Sequence, residues 1–311
     1  MRIIYKAGEN FGSTANNCIV CYVRLTLYSI QRKIPMIKKL AMLICVAATV
    51  AMTVTANAQS QSVEQSRTVG HLWPANELVP IDQVDHVDFD QLLRKHVDAN
   101  GRVNYRAWHQ SSADRAALKS YLDKLSCANS DLPSNRAAIL SYWINAYNAV
   151  TIEGILRVYP TTTIRNHTSE TGGYNLWKNL MFNAGQKQVS LEDIEHKILR
   201  KMGEPRVHFA IVCASIGCPR LLNEAYVPDR LADQLVLNTR DFFSRQQNLQ
   251  VNGNVLRLSQ IISWFGTDFA PTQQQQVQVL GKYFPQSAQQ LVANGNYGVD
   301  FLEYDWNLNT Q

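Results

Sequence analysis

A cysteine attacks a carbonyl carbon as its thiolate, so it needs a base or an electropositive setting. One segment of this 311-residue chain is suited to hold such a group. Val207–Cys213 is a short apolar run that reads as a buried strand. Cys213 closes it where a loop of small residues, Ala214–Pro219, begins. A side chain at that junction is firmly held and open to solvent, which makes Cys213 the candidate nucleophile, with Ser215 and Cys218 as support. His208 is the nearest imidazole. Five residues along a strand span about 16 Å, however, and an odd separation sends two side chains to opposite faces. A core histidine bonded to backbone is the plainer role there. His196 suits better, on the exposed face of a helix expected over 191–202. Glu192, four residues earlier, can orient its ring. Glu195 points elsewhere on that helix and could anchor a loop.

A second polar set lies on one helix. Ser134 can cap a helix running to about Tyr159, where Pro160 stops it. Trp143, Ile144, Tyr147 and Val150 make it apolar over most of its circumference, as expected of a central buried helix. Ser141, Asn145 and Asn148 fall on one face at spacings of four and three. Buried amides need partners, so Asn145 and Asn148 either tie the helix to loop backbone or line a site, donating to an imidazole or an oxyanion. Arg220, after Pro219, could bind a substrate carboxylate or be a surface cation. Tyr174 and Trp177, beside the Gly172-Gly173 pair, could form an aromatic subsite or cap the core. Cys213 and Cys218 could also close a short disulfide loop. No Cys-x-x-Cys pair or tight His/Cys cluster suggests a metal, and no motif calls for a cofactor.

The positioning elements follow from periodicity. Helical spacing begins at Asp88 (Phe89, Leu92, Leu93), and Ala117–Leu125 gives an amphipathic helix. A short strand is expected near Val103–Tyr105. Strands are expected at 187–189, 207–213, 249–258 (a hairpin about Asn252-Gly253) and 299–306. Ser190 and Asp193 resemble a capping box. A long helix starts near Pro228 and short helices fill 259–293. The class is α+β: helices packed around a small, mainly antiparallel sheet, with the central buried helix near 135–159.

The amino-terminal segment changes the charge argument. Lys38 and Lys39, the apolar stretch Leu40–Val54, and Ala56-Asn57-Ala58 before Gln59 form a secretory signal pattern. Met36 is well placed as the real start, making 1–35 an upstream extension. Residues 1–58 carry seven of the 30 basic residues and one of the 25 acidic ones, so the net charge of +5 becomes −1 after cleavage. Electrostatic nucleic-acid binding loses its support. Cleavage also leaves three of six cysteines, Cys127, Cys213 and Cys218, and no further run long enough to span a membrane. The expected organisation is signal 36–58, polar tether 59–84 and one globular domain 85–311, exported to the periplasm or secreted.

Three segments then resemble one family. They are Trp143-Ile144-Asn145-Ala146-Tyr147-Asn148-Ala149; Ser190-Leu191-Glu192-Asp193-Ile194-Glu195-His196; and His208-Phe209-Ala210 with Cys213-Ala214-Ser215-Ile216-Gly217-Cys218-Pro219. With Tyr304-Asp305-Trp306 they look like the domain of unknown function family 547, over roughly 85–306. The resemblance implies export in bacteria and attaches no reaction. The residues point to a cysteine-dependent hydrolase or acyl-transferase acting on an envelope amide or ester. The alternative is a non-catalytic binding module for an envelope glycan, peptide or protein partner.

Overall fold

The computed structural model describes residues 67–169 and 175–311. The segments 1–35 and 36–58, the start of the tether and Tyr174 lie outside the described residues.

Residues expected as tether are packed from Thr68 onward. β1 (Thr68–Val69) and β2 (Val79–Pro80) join small sheets, and Val69, Ile81 and Val84 are buried. The Trp73 indole donates to the Asp123 carbonyl at 2.8 Å. Among the described residues, buried packing therefore starts at Val69, ahead of residue 85.

Helices α1 (Val87–His96), α2 (Tyr105–Gln110) and α3 (Ser112–Leu125) follow, bearing on their inner faces Phe89, Leu93, Trp108, Leu118 and Leu122. Tyr105 opens a helix, and Val103 makes only isolated bridges with Val97 and Thr310, so no strand forms at 103–105. After β3 (Ala128–Asn129) comes α4 (Arg136–Val158), the expected central helix. Eighteen of its 23 residues are buried, leaving it almost no solvent face. Its cap is Asn135, whose side chain accepts from Ala138 N at 2.8 Å, in place of Ser134.

Short α5 (Leu176–Asn179), β4 (Met181–Ala184) and β5 (Lys187–Ser190) lead to the Ser190–Asp193 cap, with both reciprocal bonds formed. The helix then widens into a π-helical stretch, Asp193–Leu199, and ends at Gly203, which takes φ 65°. Next come a 3₁₀ turn, Pro205–Phe209, and α6 (Leu231–Ser244). The hairpin β6 (Leu249–Asn252) and β7 (Val255–Leu258), the helices α7 (Gln260–Phe269), α8 (Gln273–Gly281) and α9 (Gln286–Asn294), and β8 (Gly298–Phe301) close the unit.

The class is α+β as expected, but the strands do not share one mainly antiparallel sheet. They form three small ones: β1-β4-β5 and β6-β7-β8, which are mixed, and β2-β3, with β1/β4, β2/β3 and β7/β8 pairing parallel. The missing centre is 207–213. Pro205 starts a helical turn there, and the backbone beyond bonds to a side chain: Val212 N donates to Asn148 Oδ1 at 2.9 Å, and Asn148 Nδ2 to Ala210 O at 3.0 Å. An asparagine takes the place of a neighbouring strand.

Two apolar clusters result. The larger surrounds α4; the smaller gathers Phe209, Phe242, Phe243, Leu256 and Val277 under α7 and α8. Tyr304 packs against both.

Candidate functional site

At the seam of those clusters lies a cleft of about 350 Å³, in the size range of small-molecule sites. Its floor is the loop 211–219. Asn148 fixes the entry to this loop. Ala214 then adopts φ 65°, a left-handed conformation costing about 1–2 kcal/mol for a residue with a Cβ. The reversal turns Cys213, Ser215 and Cys218 toward one another. Gly217 is required where it stands, because a Cβ would meet the Tyr304 ring at 2.9 Å. The carboxy-terminal segment clamps the loop through Ile216 N to Asn307 O and Gly217 N to Asp305 O, both 2.8 Å.

The sulfur atoms are not equivalent. Cys213 N donates to Cys218 Sγ at 3.0 Å, and Tyr304 Oη lies 3.1 Å from the same sulfur, with Ser215 Oγ at 3.4 Å. Cys213 Sγ has Ser215 Oγ at 2.9 Å and Tyr304 Oη at 3.3 Å. Both thiols are free. Burial pushes the Cys218 thiol up, but hydrogen bonds from the Cys213 thiol, Ser215 and Tyr304 outweigh it and hold it below the ordinary thiol range. Sharing a proton with Cys218, and then burial, raise Cys213 well above that range. The amide fixed on Cys218 decides the direction, since an N–H can only donate. Burial keeps Tyr304 protonated and therefore a donor.

Two further groups face the thiols. Glu195 accepts from Tyr147 Oη at 3.1 Å, and burial raises its carboxyl, which favours the protonated acid. His196 and His208 share one scaffold. Asp268 takes Arg200 in a fork, Nε at 2.6 Å and Nη2 at 2.8 Å, and also holds His208 Nε2 at 2.8 Å. Arg200 Nη1 reaches His196 Nδ1 at 2.9 Å. His208 stacks on Phe265 with centroids 4.3 Å apart. Trp177, Trp264 and Trp306 complete an aromatic wall, and Trp264 is 45 % exposed.

The cleft thus collects Cys213, Cys218, His196, His208, Glu192 and Glu195, with Trp177 on its wall. Several expected roles change. Asn145 and Asn148 do not line it. Asn145 exchanges two bonds with the Tyr226 backbone, at 2.8 and 2.9 Å, as Asn148 does with Ala210 and Val212; both are anchors. Glu192 does not orient His196; it lies 3.6 Å from Lys178, and Arg200 holds the ring instead. Glu195 lines the cleft with Glu192 and His196, as spacings of three and four on one helix allow. His208 is in the cleft too: with no strand at 207–213, the opposite-faces argument loses its premise. Arg220 binds Asn238 Oδ1 and the Ala99 carbonyl, so it is structural. Neither sulfur bonds an imidazole among the described residues. Nor does any group of three His, Cys, Asp or Glu there converge to hold a metal.

Residues 132–243 match the family described as Protein of unknown function, DUF547. No curated protein and no solved structure matches the chain. The matched segment contains α4, the π-helical stretch and the thiol loop, but ends before Trp264, Asp268, Tyr304 and Trp306. Sequence reasoning missed Tyr147, Arg200, Asp268 and Tyr304 as site residues. Arg200 had a signal, four residues after His196 on one helix face, and Tyr147 and Tyr304 sit in the quoted motifs. Asp268, sixty residues from His208, had none.

Proposed function

We propose that the protein is an exported envelope enzyme that cleaves or transfers an acyl group from an amide or ester, with the Cys218 thiolate as nucleophile. The observation that carries this reading is what surrounds Cys218 Sγ: the Cys213 amide donates to it at 3.0 Å, and the Tyr304 and Ser215 hydroxyls stand within hydrogen-bond distance of it. A thiolate formed in advance needs no base at the attacking step, so an imidazole need not touch the sulfur. Sγ bonds to the acyl carbon, the carbonyl π electrons move to oxygen, and collapse expels the amine or alcohol. Glu195 supplies the leaving group's proton. Tyr147 occupies its Oε2, so Oε1 is the oxygen that carries it. The aromatic wall shields the acyl part from water. Export rests on the signal pattern at 36–58, and an envelope fraction should contain a chain beginning at Gln59.

Iodoacetamide alkylation of the folded, unreduced protein, followed across pH with peptide mapping, tests the thiol. Cys218 should react below the ordinary thiol value of about 8.5 and faster than Cys127, whose thiol burial pushes up. Cys218→Ser should remove both labelling and activity. An unlabelled Cys218, or an intact mass showing Cys213 bridged to Cys218, sinks the reading. The exposed Trp264 favours a second one, a non-catalytic module for an envelope ligand, in which Cys218 reacts no faster than Cys127.

A further inference from the structure

The acyl-enzyme of the proposed reaction must still be released, and the histidine pair bears on that step. The inference rests on the thiol reading above. Neither ring's proton is a matter of choice. Arginine has no acceptor, so the Arg200 Nη1 bond at 2.9 Å requires a bare His196 Nδ1, and the neutral ring carries its proton on Nε2. An ionised carboxylate has no donor, so the Asp268 bond at 2.8 Å requires the proton of His208 on Nε2, leaving Nδ1 bare. His196 Nε2 and His208 Nδ1 make no hydrogen bond among the described residues. One cleft therefore holds two imidazoles with opposite remaining capacities: a donor at His196 and an acceptor at His208.

We infer that His208 is the base that activates water to release the acyl group from Cys218, and that His196 Nε2–H binds the acyl oxygen while charge develops on it. Asp268 and Arg200 are positioning residues that fix both rings at once. The step balances. His208 Nδ1 takes a proton from water as the water oxygen bonds to the acyl carbon. The C–S bond breaks with its electron pair returning to sulfur, and the carboxylic acid leaves. His208 then gives its proton to solvent. Burial lowers His208 despite Asp268, so the ring is neutral and able to accept near neutral pH. Asp268 remains ionised there, held down to about 2 by Arg200 and His208 against its burial.

The probe is p-nitrophenyl acetate, whose acylation burst and steady turnover separate the two half-reactions. In His208→Gln the burst should persist and acetyl should accumulate on Cys218, with release slowed about 100-fold or more, the contribution expected of a general base. Asp268→Asn should slow release and leave burst amplitude intact, and Arg200→Met should disturb both rings. Long-range ¹⁵N correlation spectra of the unmodified protein read the protons without any substrate. Both rings should carry Nε2–H near neutral pH, whereas Nδ1–H on either overturns the assignment. Release from His208→Gln as fast as wild type overturns the base role and leaves the thiol reading standing. No acetyl on Cys218 in any variant overturns the thiol reading and this inference with it.

Discussion

The molecule contains two histidine–aspartate pairs built alike. His96 Nε2 lies 3.0 Å from Asp114, stacks on Trp108 with centroids 4.5 Å apart, and shares its carboxylate with Lys95. His208 Nε2 lies 2.8 Å from Asp268, stacks on Phe265, and shares its carboxylate with Arg200. Burial lowers both rings and the aspartate raises both. Yet the first pair ties α1 to α3 and the second opens on the thiol cleft. A perturbed titration alone therefore cannot assign function; what differs is the surroundings. Around His96 the other groups are structural, and around His208 the same cleft holds two free thiols, the Glu195 carboxyl and a second imidazole.

Side-by-side replacement should separate the pairs. His208→Gln should lower turnover about 100-fold, on top of whatever stability the lost bond and stack cost. His96→Gln should leave turnover near wild type and cost about 2 kcal/mol in urea unfolding, because a buried ring's hydrogen bond to a carboxylate and its stacking on Trp108 are lost. Equal effects on turnover from both would erase the distinction.

The asparagine anchors sharpen the same contrast on α4. Asn145→Ala and Asn148→Ala should each destabilise by about 1–3 kcal/mol, since each strands a backbone donor and acceptor in the core. Only Asn148 holds the entry to the thiol loop, so only its loss should slow Cys218 alkylation. Equal labelling in the two variants would mean that the loop holds its shape without that bond.

How much of this was legible depends on the range of the interactions involved. The α4 helix, the Ser190 cap and the Asn252-Gly253 hairpin are set by neighbours within a few residues, and periodicity with capping chemistry found them. The thiol loop was located too, since small residues after an apolar run mark a turn. The run 207–213 misled because an apolar stretch looks the same whether its backbone bonds to a strand or to an asparagine 62 to 64 residues earlier. That error set His208 aside as a partner for the thiol, and Asp268 reaches it from a helix outside the motifs. The preference for Cys218 over Cys213 likewise depends on where one amide and one tyrosine hydroxyl fall.

The smallest expected effect concerns the cation in each pair. Hydrogen bonding from Lys95 comes first among the causes holding Asp114 at about 2, with burial opposing it. Arg200 plays the same part for Asp268. A depressed carboxylate contributes stability that is present above its unfolded value of about 3.9 and is lost as pH falls through the folded value. Both pairs should therefore weaken in the window from about 4 down to about 2. The Lys95 side chain is 61 % exposed, however, and solvent screens it, while that of Arg200 is 28 % exposed and grips in a fork. Lys95→Met should shift the acid limb of a stability–pH curve barely at all, and Arg200→Met should move it to visibly higher pH. A Lys95 effect as large as that of Arg200 would show that solvent does not distinguish the two pairs, and the cleft would lose one reason for its arginine.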